Sequence, residues 1–400
     1  MFSLLLALIY LAFISLGLPD SLLGSAWPSI YPSFNVPFSY AGIISVIICC
    51  GTIISSLCSG FLNRKFSAGV ITVTSVGITA LALFGFSICS QFWMLCLWAI
   101  PYGLGAGSVD ATLNNYVSNH FSSFHMSMLH CMWGVGASIG PYIMSFALTY
   151  QQSWQKGYLY ICFIQVILTF ILLITLPVWK KKKDGDKKSE ESENKAEIET
   201  NLFKVLRMKG VLLGMLAFFL YCALEQTTGL WASSYFVLVW KLDASFAASL
   251  ASLFYIGITA GRFISAFISL KLDEKKMVRL GQVIIMAGII MIIIPASTYY
   301  VTLAGLILVG LGCAPIFPSM IHAVPARFGK KNSQAIIGLQ MAFSYFGSLV
   351  MPPLYGVLTS SLTNSIYPYY LLICLILLIV VHQLLMMKTD DKKVKDIKRA

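Results

Sequence analysis

The chain has 400 residues, of which 58% are hydrophobic and only 11% charged, and its mean hydropathy is +0.80. So few charges cannot clothe a soluble core of this size, which excludes an ordinary water-soluble enzyme or scaffold and leaves a polytopic membrane protein. The net charge of +12 does not indicate nucleic acid, because Lys and Arg fall in short clusters between apolar runs.

Apolar runs of about 17–25 residues count as spans. They fall near 2–31, 39–61, 68–89, 92–118, 124–149 and 157–178, and again near 210–238, 244–270, 276–295, 298–322, 332–359 and 366–387. The fold class predicted is all-α, with 12 spans in two sets of six. The apolar N-terminus lacks the basic region of a secretory signal and reads as a retained first span. The ten Cys are scattered through apolar runs without a CxxC or Cys/His spacing, so they read as reduced packing residues, with no metal site and no cofactor.

Orientation follows from the cations. Lys156 and Lys241 lie in loops on one side and Arg262 inside a span, whereas all the other Lys and Arg crowd the opposite side. Basic loops face the cytoplasm, which would put both termini there. The predicted units are an N-terminal six-span half (1–179), a charged linker (180–209) with a short helix near 202–206, a C-terminal half (210–388) and a basic tail (389–400). The expected setting is a multi-pass protein of a bacterial cell membrane, with lipid as its surroundings.

The two sets resemble one another. Asp20, Gly24 and Trp27 of the first span correspond to Glu225, Gly229 and Trp231 of the seventh. Ser39 and Gly51 correspond to Ser245 and Gly257, Gly103-Leu104-Gly105 to Gly310-Leu311-Gly312, and Gly136 with Pro141 to Gly347 with Pro352. Parallel six-span repeats place a substrate site at the midplane between halves.

Of 16 acidic residues only Asp20, Asp110 and Glu225 sit within spans, and Arg262 is the one Lys or Arg placed there. A charge at the bilayer centre costs about 2.5–3.5 kcal/mol even on the lenient scale, so such residues mark pathways by default. Asp20 and Asp110 are the leading proton-coupling candidates, since carboxylates in low-dielectric cavities suit reversible protonation, and Glu225 ranks third. The competing explanation is a packing carboxylate held by neighbouring hydroxyls. Asn114 stands one turn from Asp110 on the same helix face, suited either to a hydroxyl-rich ligand or to a neighbouring helix. At about 1.5 Å rise per residue, His130, Asp110 and Arg262 share a depth in the inner half. Arg262 is therefore expected to pair with a carboxylate near the seam as a gate, or else to snorkel. Trp27 and Trp231 are either interface anchors or an apolar platform for a sugar ring, and Trp133 and Gln340 are further cavity candidates. Gly and Pro in 134–141 and 347–353 permit close helix approach or kinks. His120, His125, His322 and His382, near span ends, read as solvated.

These residues resemble a known family. The whole chain looks like a major facilitator transporter, and its motifs resemble the fucose–proton symporter family and related sugar carriers. Gly105-Ala106-Gly107-Ser108-Val109-Asp110-Ala111 is similar to that family's Gly-rich segment ending in an acid, with Asp here for Glu. Asp20 falls at its other essential carboxylate, and His130 to Pro141 resembles its aromatic-Gly-Gly-Pro pattern. Gly261-Arg262-Phe263 fits a superfamily pattern, while Gly60 to Lys65 departs from another, with Asn63 where Asp is common. The resemblance implies alternating access, with Asp20 in substrate-linked protonation and Asp110 in a proton relay.

The function expected is secondary transport of a small polar solute, a sugar first, coupled to protons. Alternatives are a proton-coupled exporter of drugs or metabolites and a sodium-coupled carrier. An enzyme is not expected, because no HExxH, GxSxG or paired His/Asp spacing occurs, and the absence of a Walker GxxxxGK[ST] argues against ATP-driven transport. A signalling sensor would usually append a soluble domain, for which the linker and tail are too short.

Overall fold

Twelve helices are long and apolar enough to cross a membrane, in agreement with the count read from the sequence. The computed structural model describes residues 2–121, 123–180, 205–269 and 271–397. The spans are Leu4–Ser33, Phe38–Ser59, Ala68–Ser87, Phe92–Val117, Met128–Gln151 and Trp154–Ile174, then Val211–Trp240, Ala244–Ile268, Glu274–Ile293, Tyr299–His322, Ala335–Ser361 and Asn364–Thr389. Caps set several starts. The sixth span begins at Trp154, earlier than expected, because the Ser153 hydroxyl accepts from the Lys156 amide at 3.4 Å. Asp243 and Asp273 do the same for the eighth and ninth spans, accepting from the Ser245 and Lys276 amides at 2.9 and 2.8 Å.

The first span is two helices, Phe2–Asp20 and Leu22–Ser33, meeting at Ser21. Pro19, two residues earlier, withholds an amide proton from the preceding turn, while Ser21 itself keeps helical φ and ψ of −89° and −6°. The seventh span, its repeat counterpart, runs unbroken from Val211 to Trp240. The tenth is interrupted at Ala314-Pro315, between helices Tyr299–Cys313 and Ile316–His322.

Within the first half the fifth span packs on the first, and in the second half the eleventh packs on the seventh. Glycine makes both approaches possible. A side chain on Gly136 would run into the Ile14 carbonyl, and one on Gly347 into the Phe219 carbonyl. Across the halves, the fifth span packs along the eighth, the first against the seventh and eighth, and the second against the eleventh.

The seam is tightly closed at the end remote from the basic loops. A Cβ on Gly24 would stand 2.6 Å from the Gly229 carbonyl oxygen, and one on Gly42 2.9 Å from Pro353 Cα. The Ser233 hydroxyl donates to the Ser25 carbonyl at 3.3 Å, and the Phe38 ring lies 4.6 Å from Trp231. Trp27 and Trp231 sit inside this plug with no exposed surface, their indole N–H groups donating to the Phe38 and Pro352 carbonyls at 2.8 and 2.9 Å. Neither is an interface anchor and neither presents a face to a ligand in this conformation. Burying two large aromatic rings with satisfied N–H groups stabilises the closed end instead.

The charged linker expected at 180–209 lies for the most part outside the described residues, as does most of the short helix expected near 202–206. The expected tail, 389–400, continues the last helix as far as Ile397. His382 is a correction. It is buried, with neither ring nitrogen hydrogen-bonded, because the twelfth span packs on the ninth at that level. His125 hydrogen-bonds the Tyr10 hydroxyl at 2.9 Å, and His120 stacks on Tyr116.

Candidate functional site

The break in the first span delivers Asp20 to the middle of the molecule. Its carboxylate is closely surrounded by protein, yet the residue keeps solvent-exposed surface. Tyr102 of the fourth span donates its hydroxyl to Asp20 Oδ1 at 2.7 Å, and Trp133 of the fifth donates Nε1–H to Oδ2 at 2.8 Å. Both donors are neutral. Among the described residues no Lys or Arg forms an ion pair with Asp20.

Trp133 carries the arrangement across the seam. The Arg262 guanidinium of the eighth span lies over its ring, 5.3 Å from the centroid, and Tyr255 packs edge-on at 6.3 Å. Arg262 Nη1 donates to the His130 carbonyl at 2.8 Å, and Nη2 stands 3.8 Å from Glu225 Oε1. A chain of contacts thus runs from Tyr102 through Asp20, Trp133 and Arg262 to Glu225, joining the two repeat-related carboxylates through one indole and one guanidinium. The Tyr255 hydroxyl lies within electrostatic reach of both acids.

Asp110 stands apart from this chain. Asn114 Nδ2 donates to its Oδ1 at 2.9 Å, the one-turn pairing read from the spacing. It feels the Asp20 charge and faces Tyr345 of the eleventh span, whose hydroxyl is hydrogen-bonded with Ser56. Ser56 in turn donates to the Gly107 carbonyl at 3.3 Å. Beyond Tyr345 the eleventh span is open, since Ala342 and Gly338 are exposed and nothing lies within 4 Å of a Cβ built on Gly338.

The structure therefore groups Asp20, Trp133, His130, Arg262 and Glu225, and sets Asp110 with Asn114 nearby. Arg262 takes Glu225 as its carboxylate rather than Asp110, and it neither snorkels nor stands alone. His130 contributes its carbonyl, while its imidazole packs edge-on against Phe13 at 6.0 Å. Gln340 is buried between the eleventh and seventh spans, its Nε2 against Gly214 and its Oε1 without a partner. Tyr102, Tyr255 and Tyr345 did not stand out in the sequence. A tyrosine hydroxyl within an apolar span needs a partner, and that was the available signal.

Comparison with known proteins gives the same architecture. The chain matches the model of the Major Facilitator Superfamily over residues 9–248 and 232–400. It is 22% identical over 382 residues to the Saccharomyces cerevisiae protein called Bypass of stop codon protein 6, covering 88% of this chain and 76% of that one. It is 22% identical over 355 residues to the glucose/mannose transporter GlcP of Bacillus subtilis, covering 87% and 86%. Among solved structures, a variant of the nucleoside transporter NupG superposes with a TM-score of 0.75 at 15% identity, covering 95% of this chain and 98% of that one. With twelve spans and a family model matching both halves, the chain belongs to the major facilitator superfamily and is a multi-pass membrane transporter, not an enzyme.

Proposed function

We propose that the protein carries a small polar solute, a sugar first, across a cell membrane in exchange for the energy of a proton gradient, by alternating access between its two halves. The observation that carries this is Asp20, a carboxylate at a helix break in mid-membrane, reached by solvent and held only by the neutral donors Tyr102 and Trp133. A carboxylate with no fixed counter-ion can exchange its proton without leaving a cation unpaired, which a coupling site needs. Asp110, with Asn114, offers a second such group on the opening side of the cavity. The names of two relatives, a glucose/mannose carrier and a nucleoside carrier, support a hydroxyl-rich solute.

In this reading the basic loops face the cytoplasm, both termini lie inside, and the cavity is inward-facing. The plug around Trp27 and Trp231 is then the closed outer gate. Arg262 ties the fifth and eighth spans together on the inner side of the midplane. Because coupling is reciprocal, bound solute raises proton affinity by the factor by which a bound proton raises solute affinity.

The test is uptake into proteoliposomes under an imposed pH gradient, with glucose, mannose and a nucleoside as labelled solutes. Wild-type protein accumulates the solute uphill, and Asp110→Asn loses accumulation while keeping exchange. Accumulation by Asp110→Asn equal to wild type removes Asp110 from the coupling path, and dependence on sodium rather than pH removes the proton. Solute driven out as protons enter identifies an exporter.

A further inference from the structure

The charges around the cavity narrow the class of solute, an inference that rests on the transport reading above and goes beyond it. Arg262 is the one cation at the depth of Asp20 among the described residues. The others within spans, Lys156, Lys275, Lys276, Arg279 and Lys388, stand close to span ends. Arg262 is already committed on every side, with Nη1 on the His130 carbonyl, Nη2 near Glu225 and its face on Trp133. Its charge is matched by Glu225.

What remains open is acidic. Asp20 and Asp110 hold only neutral donors, namely Tyr102, Trp133 and Asn114. With both ionised the cavity is negative, and with both protonated it is neutral. In no protonation state does it offer an unmatched cation. A solute bearing a carboxylate or phosphate would carry its charge to the midplane uncompensated, where a lone charge is costly. A neutral polyol instead meets carboxylate acceptors that take hydroxyl hydrogens directly. We propose that this cavity selects neutral polyhydroxylated solutes, tolerates an added amine, and rejects their acidic counterparts.

The experiment is a matched binding series on the purified wild-type protein, read by thermal shift and by displacement of a labelled sugar. Glucose, glucosamine, glucuronate and a hexose phosphate share one ring and differ in charge. Glucose and glucosamine are expected to bind, and the two acids at least about tenfold more weakly. Either acid binding as tightly as glucose overturns the inference while leaving sugar transport standing. A second pair, uridine and its monophosphate, separates the two readings. If only this pair responds and the neutral member wins, the charge rule stands and the sugar assignment falls. Silence from every compound removes both. Glu225→Gln frees the guanidinium at nearly constant shape, so the folded variant is expected to favour glucuronate relative to glucose by about tenfold over wild type. An unchanged ratio in the folded variant would falsify the assignment of selectivity to the matched arginine.

Discussion

Asp20 and Glu225 stand at places that the repeat read from the sequence makes equivalent, yet their surroundings differ in every respect that matters to a charge. Asp20 ends a broken helix, is open to solvent and accepts from two neutral donors. Glu225 lies in an unbroken helix, is buried, and faces an arginine at 3.8 Å. A carboxylate beside a fixed cation is a structural charge, because removing it strands the partner in the low-dielectric interior. A carboxylate among neutral donors beside water can change its protonation state at little structural cost. Under the proposed reading, the neighbouring helices make Asp20 the carrier and Glu225 a brace, although the repeat matches the two positions.

Substitution separates the two roles. Asp20→Asn is expected to abolish uphill, pH-driven uptake while leaving the melting temperature near wild type, since the amide keeps the shape and the cavity hydrates what Tyr102 and Trp133 no longer satisfy. A variant that unfolds instead would make Asp20 structural and erase the contrast. Glu225→Gln is expected to cost about 3 kcal/mol of stability, the low end for a broken buried pair because the side chains of Arg262 and Glu225 remain 17% and 10% exposed. The double variant Glu225→Gln with Arg262→Gln should recover part of that loss in the same melting experiment. Arg262→Glu, which places two acids face to face, should lose transport, and uptake at the wild-type rate would refute the inner tie. Trp133→Phe keeps a ring beneath Arg262 but removes the N–H bonded to Asp20, an exposed bond that water can replace at little cost in stability. Uptake falling about tenfold with little change in melting temperature would place Trp133 on the Asp20 side of the comparison.

The span count and the rarity of intramembrane charge are legible in the sequence because each follows from local composition. Which partners the charges take is not. Helix rise placed Arg262 level with His130, and the two do meet, but rise gives depth without azimuth and could not choose between Asp110 and Glu225. Spacing offers Trp27 and Trp231 as interface anchors or a ligand platform, because it does not reveal that Gly24 and Gly229 bring their helices into contact and bury both rings. Trp133 reads from the sequence as a cavity candidate, whereas its link to Asp20 depends on how the first and fifth helices pack.

The smallest expected effect bears on why water access matters. Tyr102→Phe removes the hydroxyl that donates to Asp20 Oδ1 at 2.7 Å. Cavity water reaches that carboxylate and can replace the bond, so the cost is expected near 0.5–1 kcal/mol. Tyr221→Phe makes the corresponding deletion beside Glu225. There the ring is fully buried and the hydroxyl donates to the Cys313 carbonyl at 3.1 Å, so an orphaned carbonyl should cost about 1–3 kcal/mol. The pair measured together, by thermal melting in one detergent, should rank Tyr221→Phe as the more damaging for stability and Tyr102→Phe as the more damaging for uptake. The opposite ranking would mean that solvent does not reach Asp20, and a carboxylate sealed from water could not serve as the open half of the pair.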